Sequence, residues 1–313
     1  MWIWIGIGTA VVSAAVLIIA YVCFRMAFYV PTRKPITDDR VDVPEGKAYE
    51  PYREDMERWA RETRALPHEA ISVTSFDGLT LRGKYYECAP NAPIELMFHG
   101  YRGHAERDLC GGVQRCFKLG HNALIVNQRA SADSDGHVIT FGIREYRDCL
   151  TWVAFMTQRF GKNARIILTG ISMGAATVMM TADQPLPDQV IGILADCGYS
   201  SPKAIICKVI RQMGLPVALA YPFVRLGGLL YGGFDIESRS ATEALRNSRV
   251  PVLFFHGEAD DFVPCEMSRE NYAACTSRKR LVTVKDADHG LAYLCDPEGY
   301  RQAVREFFDE SCT

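Results

Sequence analysis

The sequence predicts an α/β fold: a mostly parallel sheet with helices on both faces and an antiparallel hairpin at one edge. Three observations carry this. Apolar runs of strand length recur at residues 94–98, 123–127, 165–169, 190–195, 252–255 and 281–284. Such uninterrupted apolar strands suit a sheet buried on both faces. Helix-length segments lie between most of them, at 107–119, 143–160, 173–182, 268–275 and 298–308, and strand–helix alternation is the signature of the βαβ unit. Finally, residues 71–87 (ISVTSFDGLTLRGKYYE) alternate apolar and polar on either side of Asp77-Gly78, a pair that tolerates the positive φ of a tight turn.

Taken in chain order, residues 1–24 contain no charged side chain. As a helix they would be about 36 Å long, more than the hydrocarbon core of about 30 Å requires. Trp2 and Trp4 mark one interface, Tyr21 and Tyr29 the other. A cleaved signal peptide is the rival reading, but it would need a basic start, a shorter apolar stretch and a small-residue cleavage site. The segment therefore reads as an uncleaved membrane anchor. Arg25, Arg33, Lys34 and Arg40 all lie on its C-terminal side, which puts the remainder of the chain in the cytoplasm.

Residues 25–51, with prolines and polar residues, read as a linker. The domain is expected at 52–313, folding on its own, so that a chain starting near residue 30 keeps its activity. Within it, 53–66 places Met56, Trp59, Thr63 and Leu66 at helical spacing, with Pro67 as a stop. Between the fourth and fifth parallel strands, about 198–240 is an insertion too rich in Ile, Val, Leu and aromatic residues for a solvated loop. It is expected either as a helical cap over the sheet or as an extra core layer. Lys208, Arg211 and Arg225 argue against a second membrane span there.

With 313 residues, 48% apolar and 23% charged, the chain has ample material for a core. A net charge of −2 and one short basic run, Arg278-Lys279-Arg280, offer nothing for nucleic acid. The eleven cysteines show no Cys-x-x-Cys and no zinc-ligand spacing, and read as free thiols of a reducing compartment. No metal or organic cofactor is implied, and oligomeric state is not legible.

Chemistry enters at Gly170-x-Ser172-x-Gly174. Alone, such a pattern arises by chance in roughly one chain in ten of this size. Here it follows an apolar strand and opens a helix, the setting of a strained nucleophile elbow. In open parallel sheets, functional groups gather at the carboxyl ends of strands. Three more motifs fall there: His99-Gly100-Tyr101, His256-Gly257-x-x-Asp260-Asp261-x-Val263-Pro264, and His289-Gly290. Asp260 and Asp261 are alternatives for an acid. His99 and His256 read as turn residues, and His104, His121 and His137 as surface or loop.

Together these motifs resemble the α/β-hydrolases of the lid-bearing serine esterase kind, and in particular the membrane-anchored branch with bacterial single-span members and Bem46-like proteins. The resemblance runs from about residue 71 to the C-terminus. It implies Ser172 as nucleophile, His289 as general base and acid, and Asp260 as the group orienting the imidazole, chosen over Asp261 by its spacing to Val263-Pro264. It implies backbone N–H groups of Tyr101 and Met173 as the oxyanion hole. One departure stands out: Asn127-Gln128-Arg129 replaces the usual Asp-Gln-Arg, which puts a local hydrogen bond in doubt.

The implied reaction is acyl transfer to water, with a carboxylic ester of an apolar acyl group as the substrate. A thioester of a lipidated protein and an aminopeptidase substrate are alternatives. A silent membrane-tethered scaffold is the non-enzymatic one.

Overall fold

The computed structural model describes residues 2–31 and 41–309. Eight strands form one sheet in the order β1-β2-β4-β3-β5-β6-β7-β8. They are β1 (Glu69–Thr74), β2 (Thr80–Tyr86), β3 (Ile94–Phe98), β4 (Asn122–Asn127), β5 (Ile166–Ile171), β6 (Val190–Asp196), β7 (Val252–Gly257) and β8 (Lys279–Val284). Both pairings of β2 are antiparallel and every other pairing is parallel. The hairpin thus occupies the predicted edge. β3, β4 and β7 are buried along their whole length, as apolar strands between two helical layers must be.

The helices are α1 (Trp2–Ala27), α2 (Arg53–Ala65), α3 (Ala105–Asp108), α4 (Cys110–Leu119), α5 (Glu145–Phe160), α6 (Met173–Met179), α7 (Pro202–Gln212), α8 (Val217–Gly227), α9 (Ala241–Leu245), α10 (Cys265–Ala274), α11 (Ala292–Cys295) and α12 (Pro297–Asp309). One sheet face packs on α5 and α6 through Trp152, Val153, Met156, Ala175 and Met179. The other carries α12, with Tyr300, Val304 and Phe308 against Leu194, Leu253 and Phe255.

Two expectations about the N-terminal third need correction. The helix does not end at residue 24, and residues 25–30 are not a linker. Phe28 is fully buried beside Phe24, Phe141 and Phe234; Val30 N donates to His137 O, and Ile139 N donates to Phe28 O. The later part is also built in: Val43 is buried with Met56 and Ala60, and the hydroxyl of Tyr49 donates to His289 O at 2.9 Å. Aromatic residues among the prolines and charges bury wherever a face is offered. Arg33, Lys34 and Arg40, three of the four charges used to orient the anchor, lie outside the described residues.

The insertion folds as α7, α8 and a wide turn at Gly228–Gly232. Ser201 caps α7, accepting from Ala204 N, with Pro202 at the first helical position. Its main partner is α1. A side chain at Gly227 would put its Cβ 2.4 Å from Ala20 O, so the two backbones touch only because this position is glycine.

Candidate functional site

The carboxyl ends of β3, β5, β7 and β8 converge on one surface, and Tyr101, Ser172, Asp260 and His289 follow them in turn. β5 delivers Ser172 at φ 56° and ψ −118°, a conformation a side chain reaches only under strain. The strain is held by its surroundings. Ser172 N donates to Asp196 O at 2.8 Å, and its carbonyl accepts from Ala176 N within α6. Gly174 lets the helix start this close to β3: a Cβ there would lie 2.1 Å from Phe98 O. The serine hydroxyl is thereby presented above the sheet, at a helix start.

Ser172, Asp260 and His289, far apart in sequence, meet here. His289 Nε2 lies 2.9 Å from Ser172 Oγ, and Nδ1 lies 2.7 Å from Asp260 Oδ2. With Nδ1–H donated to the carboxylate, Nε2 is left to accept the serine proton. Burial alone would raise the Asp260 pKa. Hydrogen bonds from His256 and His289, and the N–H of Val263, outweigh it and hold the group down at about 2. Asp261 is exposed; its backbone carbonyl accepts from Lys208 and Gln212, and its side chain takes no part in the cluster.

Of the two N–H groups expected as oxyanion donors, neither Tyr101 nor Met173 finds a backbone or side-chain acceptor among the described residues. Gly100 brings the Tyr101 loop against Ser172, with an added Cβ 3.6 Å from the serine Cβ. That loop is tied to the first helix: Tyr101 Oη donates to Ala27 O at 2.7 Å, and Arg102 Nη2 donates to Met26 O at 2.8 Å.

Of the other histidines, His256 touches Asp260, while His99 and His121 are engaged away from the cluster. His99 is buried, with Nδ1 on Gly100 O and Nε2 accepting from Gln128 N; burial pushes its pKa down to about 4, so it stays neutral. His256 Nδ1 lies 2.6 Å from Ser268 Oγ, and its Nε2 lies 2.7 Å from Val263 O and 3.2 Å from Asp260 Oδ2. His121, expected at the surface or in a loop, does lie in the connection between α4 and β4 but is not on the surface. It is buried against Glu95, which also takes Arg115 and Thr169 Oγ1. A lone glutamate inside the strand run IELMF was the signal for this cluster. Asn127 uses both ends of its amide, accepting from Ala105 N and donating to Asp133. An aspartate could not make the second bond. Cys197 is buried, and burial raises its thiol pKa well above the ordinary value, so it remains an uncharged neighbour of the cluster.

A cavity of about 230 Å³ opens beside Ser172 and His289. It runs between the sheet and α2, α4 and α11, with Trp59, Met97, Leu109 and Leu194 in its wall and Thr169, Arg115, Asp196 and Tyr300 at polar positions. Arg115 Nη1 and Asp196 Oδ1 have no hydrogen-bond partner among the described residues. No residue of 198–240 lines it. The insertion does not close over this cavity: its buried apolar side chains form an extra core layer with Phe24 and Phe28 of α1, Met173 and Met180 at the two ends of α6, and Val263 and Met267, while others face outward.

A serine at a strand-to-helix turn, under a histidine and an aspartate from later strand ends, on a mostly parallel sheet with an antiparallel edge, defines the α/β-hydrolase fold. A family model described as serine hydrolase (FSH1) matches residues 203–291. The uncharacterized protein YqkD of Bacillus subtilis is 26% identical over 192 residues, which are 61% of this chain and 63% of that protein. Protein bem46 of Schizosaccharomyces pombe is 24% identical over 255 residues, 79% of this chain and 78% of that one. Among solved structures, the Pyrococcus furiosus esterase Pf2001 superposes with a TM-score of 0.65 at 20% identity, covering 89% of this chain and 99% of its own. The chain has the fold of the α/β-hydrolases, and in sequence it is similar to serine hydrolases over residues 203–291 and to protein bem46 over most of its length.

Proposed function

We propose that the protein hydrolyses carboxylic esters of apolar acyl groups, working from the cytoplasmic face of a membrane crossed by its first helix. The observation that carries the reading is the unbroken line from Asp260 through His289 to Ser172 at 2.7 and 2.9 Å, beside a largely apolar cavity. Ser172 Oγ attacks the acyl carbon as His289 Nε2 takes its proton. The carbonyl oxygen becomes an oxyanion facing the N–H groups of Tyr101 and Met173. The carbon–oxygen bond to the alcohol then breaks, with His289 returning the proton to the leaving oxygen. Water repeats the sequence on the acyl-enzyme and releases the acid, while Asp260 stays ionised and stabilises the imidazolium.

An aminopeptidase would need free carboxylates to hold a substrate ammonium. The acids of the insertion are already committed: Asp235 to Arg225, and Glu237 to Arg225, Lys203 and Tyr221. The test is labelling by a fluorophosphonate probe, followed by turnover on p-nitrophenyl esters of graded chain length, thioesters and aminoacyl amides. Labelling of Ser172 with the fastest turnover on medium or long oxygen esters is expected. No labelling, with no turnover on any substrate, would support a silent scaffold instead.

For the membrane part, α1 is the one described helix long and apolar enough to cross a bilayer, and Arg25 stands at its C-terminal end. A membrane fraction resistant to alkaline carbonate is the expected outcome.

A further inference from the structure

We propose that the insertion of α7, α8 and the Gly228–Gly232 turn is itself immersed in the membrane surface beside α1, so that the site draws its substrate from the lipid interface. This rests on reading α1 as a membrane span.

The first argument is length. The contact of α1 with the insertion begins at Leu17, whose carbonyl accepts from Tyr231 Oη. The free part, Trp2 to Val16, reaches about 22 Å at 1.5 Å per residue, against a hydrocarbon core of about 30 Å. The missing 8 Å or so, roughly five residues of helix, must come from the stretch that packs on the insertion. There Ala20 meets Gly227, and Tyr21 meets the Tyr231 ring at 5.2 Å. Whatever surrounds α1 at that depth surrounds the insertion too.

The second argument is the surface of the insertion. Leu219 is 68% exposed, Leu230 52% and Leu229 45%, with Met213 and Leu215 also exposed. None of these lines the cavity beside Ser172. An apolar surface continuous with a membrane span, and unused by the substrate pocket, fits a monotopic contact with lipid. Cations stand around it: Lys203, Arg211 and Arg102 are exposed, and Arg25 lies 4.0 Å over the Tyr29 ring. Long basic side chains with buried stems and charges at the phosphate level are the expected border of such a surface.

The consequence for function is positional. Tyr101 and Arg102, beside Ser172, hold the last carbonyls of α1. Phe262, 38% exposed, stands over His289 with Lys208 of α7 beyond it. The mouth therefore lies at the headgroup level, and the substrate class is an acyl ester of a membrane-resident amphiphile.

The test uses the full chain in vesicles of phosphatidylcholine with phosphatidylglycerol. Leu219→Trp and Leu230→Trp are compared with the parent in lipids brominated near the top of the acyl chain. Extra tryptophan emission quenched by those lipids is expected. Unquenched, red-shifted emission from a protein that resists carbonate extraction would overturn the proposal while leaving the span intact. A blue shift that depends on protein density, without quenching, would assign the patch to a second copy and overturn it too. Loss from the vesicles under carbonate would instead defeat the span on which the proposal rests. Separately, the pair Leu219→Glu and Leu230→Glu should keep turnover of a soluble short ester within twofold, and lose at least tenfold on a long-chain ester dispersed in the vesicles. Equal loss on both would point to misfolding, and the quenching result then decides.

Discussion

Ser172 is tied into the fold by its backbone N–H and carbonyl, and its hydroxyl contacts His289, so its side chain should be dispensable for folding. We expect Ser172→Ala to keep the melting temperature and to lose at least about 10⁴-fold in kcat, with His289→Ala similar and the double variant no worse than either, because such groups act as one unit. Steady-state kinetics on a p-nitrophenyl ester checks this. Near-normal turnover of Ser172→Ala would remove the mechanism. Asp260→Asn should lose on the order of 10³–10⁴-fold, and Asp261→Asn less than about twofold, since its side chain faces solvent. Asp260 also sets an acid limit. Its folded pKa, about 2, lies below the ordinary value of 3.8. A group depressed in this way contributes its stability fully above the unfolded pKa and loses it as pH falls from about 4 toward 2. The contribution is on the order of 2 kcal/mol. Guanidinium midpoints from pH 5 to pH 2.5 should fall less steeply for Asp260→Asn than for the parent. Parallel curves would mean that the carboxylate is not held as described.

The first helix divides in two by burial. Trp2 to Val16 touch little else in the chain, whereas Ala20, Phe24 and Phe28 are buried. A chain starting at residue 31 strips two phenylalanines from the cluster that holds Met173, Phe141 and Phe234, and it frees the Tyr101 loop from Ala27 O. We expect that chain to be insoluble or to have lost most of its esterase activity. A chain starting at residue 17 should keep the fold and turnover on soluble esters. Phe28→Ala in the full chain should cost about 3–5 kcal/mol, read as a shift in the unfolding transition. Equal activity of the two truncations would return residues 17–30 to the status of a linker.

At the scale of the whole molecule, the sheet order explains why the site is where it is. Every strand from β3 to β8 runs parallel, so their carboxyl ends share one edge, and four of them bring the chemistry together. That edge also meets the C-terminal end of α1 through Tyr101 and Arg102. Cysteine labelling tests the orientation of the assembly. Cys88 is exposed on the domain. In intact cells an impermeant maleimide should leave it unmodified until the membrane is permeabilised. Strong labelling beforehand would place the domain outside.

Much of this was legible in the residues themselves. Local periodicity specifies an element when its burial is uniform, and β3, β4 and β7 are buried throughout; hence their positions, the edge hairpin and the elbow at Ser172 were readable within a few residues. The nearness of Ser172, Asp260 and His289 was inferable because parallel strands align their carboxyl ends. Pairwise packing between distant segments was not. The glutamate of β3 needed Arg115 and His121 from elsewhere to be paid for in burial. Whether the apolar insertion capped the sheet or formed an extra core layer shared with α1 depended on contacts such as Gly227 against Ala20, across about two hundred residues with no local signal. Apolar content requires that a surface be covered; only the tertiary arrangement decides what covers it.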